Sequence, residues 1–166
     1  GTHLAGLFAA MGSSVCGVRS REAAPHHPFD DMGTLSDLPR LLPQADVVCS
    51  VLPSTPQTAG IADQAFFDAM RNGAYFANAG RGDLVDQRAL VEALASGHLS
   101  GAALDVCTPE PLPAESPLWD APNLLLTPHV SGQFHLAVTL DNIVGIAAEN
   151  LAHLAAGEAL RNHVNA

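Results

Sequence analysis

Three polar residues each follow an apolar run that reads as a strand: Arg81 in NAGRGDLVD, Glu110 in CTPEPLP and His129 in LLLTPHVSG. A guanidinium offers a planar fork of donors matched to a carboxylate and stays charged at any useful pH. An imidazole moves protons near neutrality, and a nearby carboxylate raises its pKa by favouring the imidazolium. Singly, each residue has an ordinary explanation: a solvated arginine in a glycine turn, a hydrogen-bonded loop histidine, a loop carboxylate stiffened by prolines. Together, on successive strand ends, they form a kit for binding a carboxylate and transferring a proton at an adjacent oxygen. Gly80 and Gly82 flank Arg81, and the expected reason is that deleted side chains let a ligand approach the backbone. Asp105 closes an otherwise apolar strand. As a buried carboxylate it needs partners, so it either caps the following loop or accepts from a ligand amide.

The seven cationic residues of the 166 are all arginine. Without lysine, the chain by itself has no P-loop lysine, no Schiff base and no Tyr-xxx-Lys pair. A net charge of −10 argues against broad binding to nucleic acid or anionic membranes, while leaving room for one small anionic ligand. Cys16, Cys49 and Cys107 are widely spaced, which argues against a disulfide framework or thiolate zinc site and for a reducing cytoplasm. The remaining histidines lack ligand spacing, so no metal site is expected. No apolar run reaches the roughly 20 residues of a membrane span.

These residues must be positioned by alternating elements. A helix is expected over 2–11, then strands at 14–18, 45–53, 73–79, 100–106 and 123–127. Helices are expected near 36–42, over 63–70, and over 86–97 with Asp86 as cap and Gly97 as stop. A polar, proline-bearing loop containing Pro25, His26, His27 and Pro28 runs from the strand at 14–18 to the helix near 36–42, and a proline-rich connector spans 108–122. A long helix, apolar on one face, is expected from 133 to 156 and ends at Gly157. Apolar strands alternating with helices predict an α/β fold, a doubly wound parallel sheet, with ligands at the carboxyl ends of the strands.

GTHLA, VCGVRSR, SVLPSTPQTAGI, NAGRGDLVD, ALDVCTPEPLP, SPLW, LLLTPHVSG and GEALRNHVN, in this order, resemble the D-isomer-specific 2-hydroxyacid dehydrogenase family. PLPAESPLW and Arg19-Ser20-Arg21 look most like its glyoxylate/hydroxypyruvate reductases. The resemblance implies a Rossmann-like NAD(P)-binding domain and hydride transfer between NAD(P)H and a small 2-keto or 2-hydroxy acid. It places the catalytic roles on Arg81, Glu110 and His129. It places cofactor contacts on Gly1, Pro53, Thr58, Ala79, Gly80, Asp105 and Gly132. Relatives with an acidic residue after the second strand hold the ribose hydroxyls of NAD. Arg19, Ser20 and Arg21 stand there instead, so NADPH is expected over NADH, with NAD also possible.

Of the family's GxGxxG fingerprint only the last glycine, Gly1, matches. The expectation is a fold truncated at its N-terminus, lacking the first strand, and inactive by itself. Residues 1–132 would form a partial nucleotide-binding domain, and 133–166 a helix and tail returning toward a substrate domain. A cytoplasmic homodimer is expected for the longer protein. The alternative the resemblance allows is a non-enzymatic NAD(P) sensor or corepressor-like interaction protein.

Overall fold

The computed structural model describes residues 1–132 and 137–163. The chain forms two compact units, Gly1–Pro128 and His129–Ala166. In the first, the order is α1 (Thr2–Ala10), β1 (Cys16–Val18), β2 (Asp31–Gly33), α2 (Leu38–Leu41), β3 (Val47–Ser50), α3 (Gln64–Ala69), β4 (Tyr75–Asn78), α4 (Gln87–Ala95), β5 (Gly101–Leu104) and β6 (Leu124–Leu126). All pairings between strands are parallel. β3, β4, β5 and β6 form one sheet in chain order, and β1 and β2 form a second. The expected parallel α/β architecture is present.

Two expectations are corrected. β2 lies inside the stretch read as a polar loop: Asp31, Met32 and Gly33 pair with Cys16, Gly17 and Val18. Three residues including an aspartate and a glycine have little intrinsic strand preference, so the pairing is a tertiary product. The helix near 36–42 is a composite, with α2 flanked by 3-10 turns at Leu35–Asp37 and Leu42–Gln44. Thr34 and Asp37 form a reciprocal capping box at its start.

The caps explain where the longer helices begin. Asp86 accepts from the Arg88 and Ala89 amides ahead of α4, and Asp63 accepts from Phe66 ahead of α3. α3 and α4 then lay apolar faces on the central strands. Phe66, Phe67 and Phe76 meet edge to face with centroids 5.2–6.0 Å apart. Phe67, Phe76, Leu90 and Leu104 are essentially inaccessible to solvent. β5 is the most buried strand, with three of its four residues buried, as a central parallel strand requires.

His98, in the loop after α4, locks that helix to the end of α3. Its Nε2–H donates to the Phe67 and Met70 carbonyls, both at 3.0 Å, satisfying groups a helix end leaves open. His98→Ala is expected to cost about 1–2 kcal/mol. That lowers the calorimetric melting temperature by roughly 2–8 °C. His98→Gln, which keeps a donor, should lose less; equal losses for both variants would refute the hydrogen-bond explanation.

The second unit contains α5 (Ala137–Ala156), terminated at Gly157 with φ 72°. Residues 133–136 of the expected helix lie outside the described residues. The tail doubles back on α5. Asn150 accepts from the Arg161 amide at 2.7 Å and donates to its carbonyl at 3.0 Å, and Arg161 pairs with Glu149 at 2.9 Å. No helix among the described residues is long and apolar enough to cross a membrane.

Candidate active site

The strand ends of the four-stranded sheet are aligned by main-chain bonds that continue past each strand. Ala79 N–H donates to Ser50, Asp105 N–H to Asn78, and Thr127 N–H to Leu104, each at 3.0 Å. Three loops therefore leave one edge of the sheet side by side: Pro53–Thr58, Gly80–Asp86 and Cys107–Pro111. The first unit thus gathers Pro53, Thr58, Ala79, Gly80, Arg81, Asp105 and Glu110 at the carboxyl end of its main sheet.

The turn that carries Arg81 is built by Asn78, 1% exposed. Its side-chain Nδ2 donates to the Arg81 carbonyl at 2.8 Å, and its Oδ1 accepts from the Gly80 amide at 3.0 Å. Asn78 was not singled out in the sequence. The signal that marks it is an asparagine two residues before a glycine, the pattern of an Asx-turn.

The flanking glycines have a different cause from the one expected. A Cβ on Gly80 would lie 2.5 Å from the Leu52 carbonyl oxygen, and one on Gly82 only 2.1 Å from the Cys107 carbonyl oxygen. Both positions are filled by neighbouring backbone, so the glycines serve close packing of three loops. Arg81 itself is exposed. It donates from one Nη to the Gly80 carbonyl at 2.7 Å and forms no ion pair among the described residues.

Asp105 is buried at 7% exposure, and Thr127 Oγ1 donates to its Oδ1 at 2.5 Å. Thr127 is a second residue the sequence reading missed. Glu110 is exposed and accepts at Oε1 from the Cys107 amide at 3.0 Å, which folds its loop back on the strand end. The Gln87 side chain donates to the Thr108 carbonyl and holds the same loop. Burial, then the negative charges of Glu110 and Asp105, push the Cys107 thiol up. That direction favours the protonated thiol at neutral pH.

Thr58 is buried and its hydroxyl is committed to the loop. It donates to the Pro53 carbonyl at 2.7 Å and accepts from the Thr55 amide at 2.9 Å. Pro53 and Ala79 are exposed on the loops beside it. Gly1 precedes α1, and its position lies beside Val51 just past β3. Arg19, Ser20 and Arg21 are exposed past β1, and neither arginine forms an ion pair among the described residues. Next to them a cavity of about 480 Å³ is lined by Glu22, Ala23, Ala24, Met32, Gly33, Thr34 and Asp37.

His129 opens the second unit with φ 55°. That region is uncommon for a residue other than glycine and costs about 1–2 kcal/mol. Such a conformation at a strand-end histidine motivates a functional reading. Gly132 is exposed, with open space where a Cβ would stand.

Parallel strands that deliver their polar residues to one carboxyl edge define the Rossmann-like class of α/β domain. The chain belongs to the D-isomer specific 2-hydroxyacid dehydrogenase family: residues 1–131 match its NAD binding domain. A relative from Citrobacter koseri, glyoxylate/hydroxypyruvate reductase B, is 40% identical over 146 residues, covering 86% of this chain and 44% of its own length. Glyoxylate/hydroxypyruvate reductase A of the same organism is 36% identical, covering 90% and 46%. The chain therefore spans less than half the length of these relatives.

Two solved structures superimpose with TM-scores of 0.85. A D-isomer specific 2-hydroxyacid dehydrogenase from Xanthobacter autotrophicus Py2, in complex with NADPH and MES, is 36% identical, covering 95% of this chain and 63% of that one. An NADPH-dependent glyoxylate/hydroxypyruvate reductase from Sinorhizobium meliloti, in complex with NADP and sulfate, is 31% identical, covering 99% and 52%.

Proposed function

We propose that this chain is the NADP(H)-binding part of a 2-keto-acid reductase acting on glyoxylate, hydroxypyruvate or a close analogue. The observation that carries the reading is Arg81: exposed at a strand end, anchored through Gly80, and with no acidic partner among the described residues. Such a guanidinium is available to a substrate carboxylate. Arg81, Glu110 and His129 keep the roles the family resemblance implies: carboxylate binding, control of the imidazole's charge, and proton transfer at the 2-oxygen.

The cofactor fits the residues present. The 480 Å³ cavity past β1 and β2 suits an adenosine moiety, with Glu22 on its wall as an acceptor for a ribose hydroxyl. Arg19, Ser20 and Arg21 would hold the 2′-phosphate. The first turn of α1, which has no side-chain cap and no acidic residue, would face the pyrophosphate, with Gly1 at its start. Pro53, Ala79, Gly80 and Gly132 would border the nicotinamide half, with Thr58 shaping the loop that Pro53 begins. Asp105, oriented by Thr127, would accept from the carboxamide. When bound, the nicotinamide supplies the hydride.

The proposal extends to a cytoplasmic homodimer. The homodimer is supported by the apolar side chains that α5 exposes, Ile143, Leu151 and Leu154 among them. Nucleotide binding is assigned to 1–132, and the helix and tail of 133–166 to the return toward a substrate domain.

The test is fluorescence titration with NADPH and NADH, followed by turnover of glyoxylate and hydroxypyruvate by the full-length protein. Arg19→Ala/Arg21→Ala should weaken NADPH by about 10–100-fold, the value of one or two charge-assisted bonds, and leave NADH within about twofold. An equal loss for both cofactors, or none, would overturn the phosphate assignment. Binding without turnover of any 2-keto acid would favour the alternative, a non-enzymatic NAD(P) sensor or corepressor-like protein.

A further inference from the structure

Asp83 lies two residues past Arg81 and is held in an unusual way. Its Oδ2 accepts from Ser54 Oγ at 2.5 Å, while its Oδ1 is buried with no hydrogen-bond partner among the described residues. An unpartnered carboxylate oxygen away from water is costly and calls for an explanation. Ser54 belongs to the loop after β3 and Asp83 to the loop after β4, 29 positions apart in the chain. The bond therefore joins two loops at the candidate site.

The surroundings show what that join controls. Beyond Asp83, main-chain bonds zip the same two segments together. Gly60 N–H donates to the Asp83 carbonyl at 2.8 Å, Ala62 to Leu84 at 3.0 Å, and Asp86 to Ala62 at 3.0 Å. Before Asp83, the Arg81 carbonyl is tied to Asn78. Between these anchors the Ser54–Asp83 pair links the Pro53–Thr58 loop to the turn that presents the guanidinium. It also leaves the acid nearest Arg81 in sequence engaged with a hydroxyl, with no ion pair to Arg81.

We infer that Asp83 is a positioning residue. Through Ser54 it holds the Pro53–Thr58 loop in register with the Arg81 turn and sets the direction in which Arg81 meets a carboxylate. The inference rests on the carboxylate-binding role proposed for Arg81. Because Oδ1 has no partner among the described residues, Ser54 makes the only hydrogen bond to the carboxylate among them, so losing either residue undoes the latch.

The test uses Ser54→Ala, Asp83→Ala, the double variant and Ser54→Thr in the full-length protein. KM for glyoxylate and kcat are measured in each. In the same samples, hydrogen exchange is followed at the Gly60, Ala62 and Asp86 amides. Each single variant should raise KM about tenfold and change kcat by less than about twofold. The double variant should be no worse than either single, and Ser54→Thr should restore the wild-type value. The three amides should exchange faster in both single variants. A lower melting temperature with KM unchanged would make the pair merely structural and overturn the inference, as would additive effects of the two substitutions. If the wild type shows no turnover, or Arg81→Gln leaves KM unchanged, the carboxylate reading itself fails. Exchange then decides the latch: lost protection in Ser54→Ala supports the join between loops, and retained protection overturns it.

Discussion

Arg81→Lys is expected to reduce kcat/KM for a 2-keto acid by about 10²–10³-fold, the loss of roughly 3–4 kcal/mol from a paired, charge-assisted contact. The charge survives this substitution; the fork does not. Arg81 spends one Nη on the Gly80 carbonyl at 2.7 Å and keeps its other donors for a ligand. An ammonium is a point charge and cannot serve the carbonyl and both carboxylate oxygens from one plane. Arg81→Gln removes the charge as well and should lose more, mainly through KM, with NADPH affinity within about threefold of wild type. Steady-state kinetics in parallel with cofactor titration checks this. Unchanged KM in both variants would remove Arg81 from substrate binding.

Gly82→Ala is expected to damage the fold itself. Its Cβ would stand 2.1 Å from the Cys107 carbonyl oxygen, 2.2 Å from the carbonyl carbon and 2.7 Å from Cα. Each of these is backbone, so no side-chain rotation relieves the clash. The loops after β4 and β5 would have to separate, and Leu84 and Val85, buried beside them, would lose their packing. A cost of about 3–5 kcal/mol follows, from the range for overpacking plus lost core contacts. That lowers the melting temperature by about 10 °C or more. Gly6→Ala and Gly145→Ala are the controls: each sits in a helix with nothing within 4 Å of the added carbon. Both should be neutral or stabilising by up to about 1 kcal/mol. Scanning calorimetry of the three variants decides it; a Gly82→Ala protein melting like its controls would mean that the two loops are not held in contact.

The sequence by itself determined the strand-helix alternation, because a strand buried on both faces, such as GAAL in β5, is written as an unbroken apolar run. It also determined the caps at Asp86 and the stop at Gly157, since these depend on a residue and its immediate neighbours. Motif order was enough to assign the family, and strand-end placement was enough to nominate Arg81, Asp105 and Glu110.

What only the tertiary structure decided depends on partners distant in the chain. β2 exists because β1 offers it a ladder, not because Asp31-Met32-Gly33 prefers extension. Gly80 and Gly82 are required by the backbones of Leu52 and Cys107, which no local pattern around Arg81 predicts. Thr127 reaches Asp105, His98 reaches the end of α3, and Ser54 reaches Asp83, each across 22 or more positions. Single hydrogen bonds of this kind leave no periodicity to read. Their physical cause is the obligation to satisfy or shield polar groups once the sheet has brought its loops together, and that obligation arises only in the folded chain.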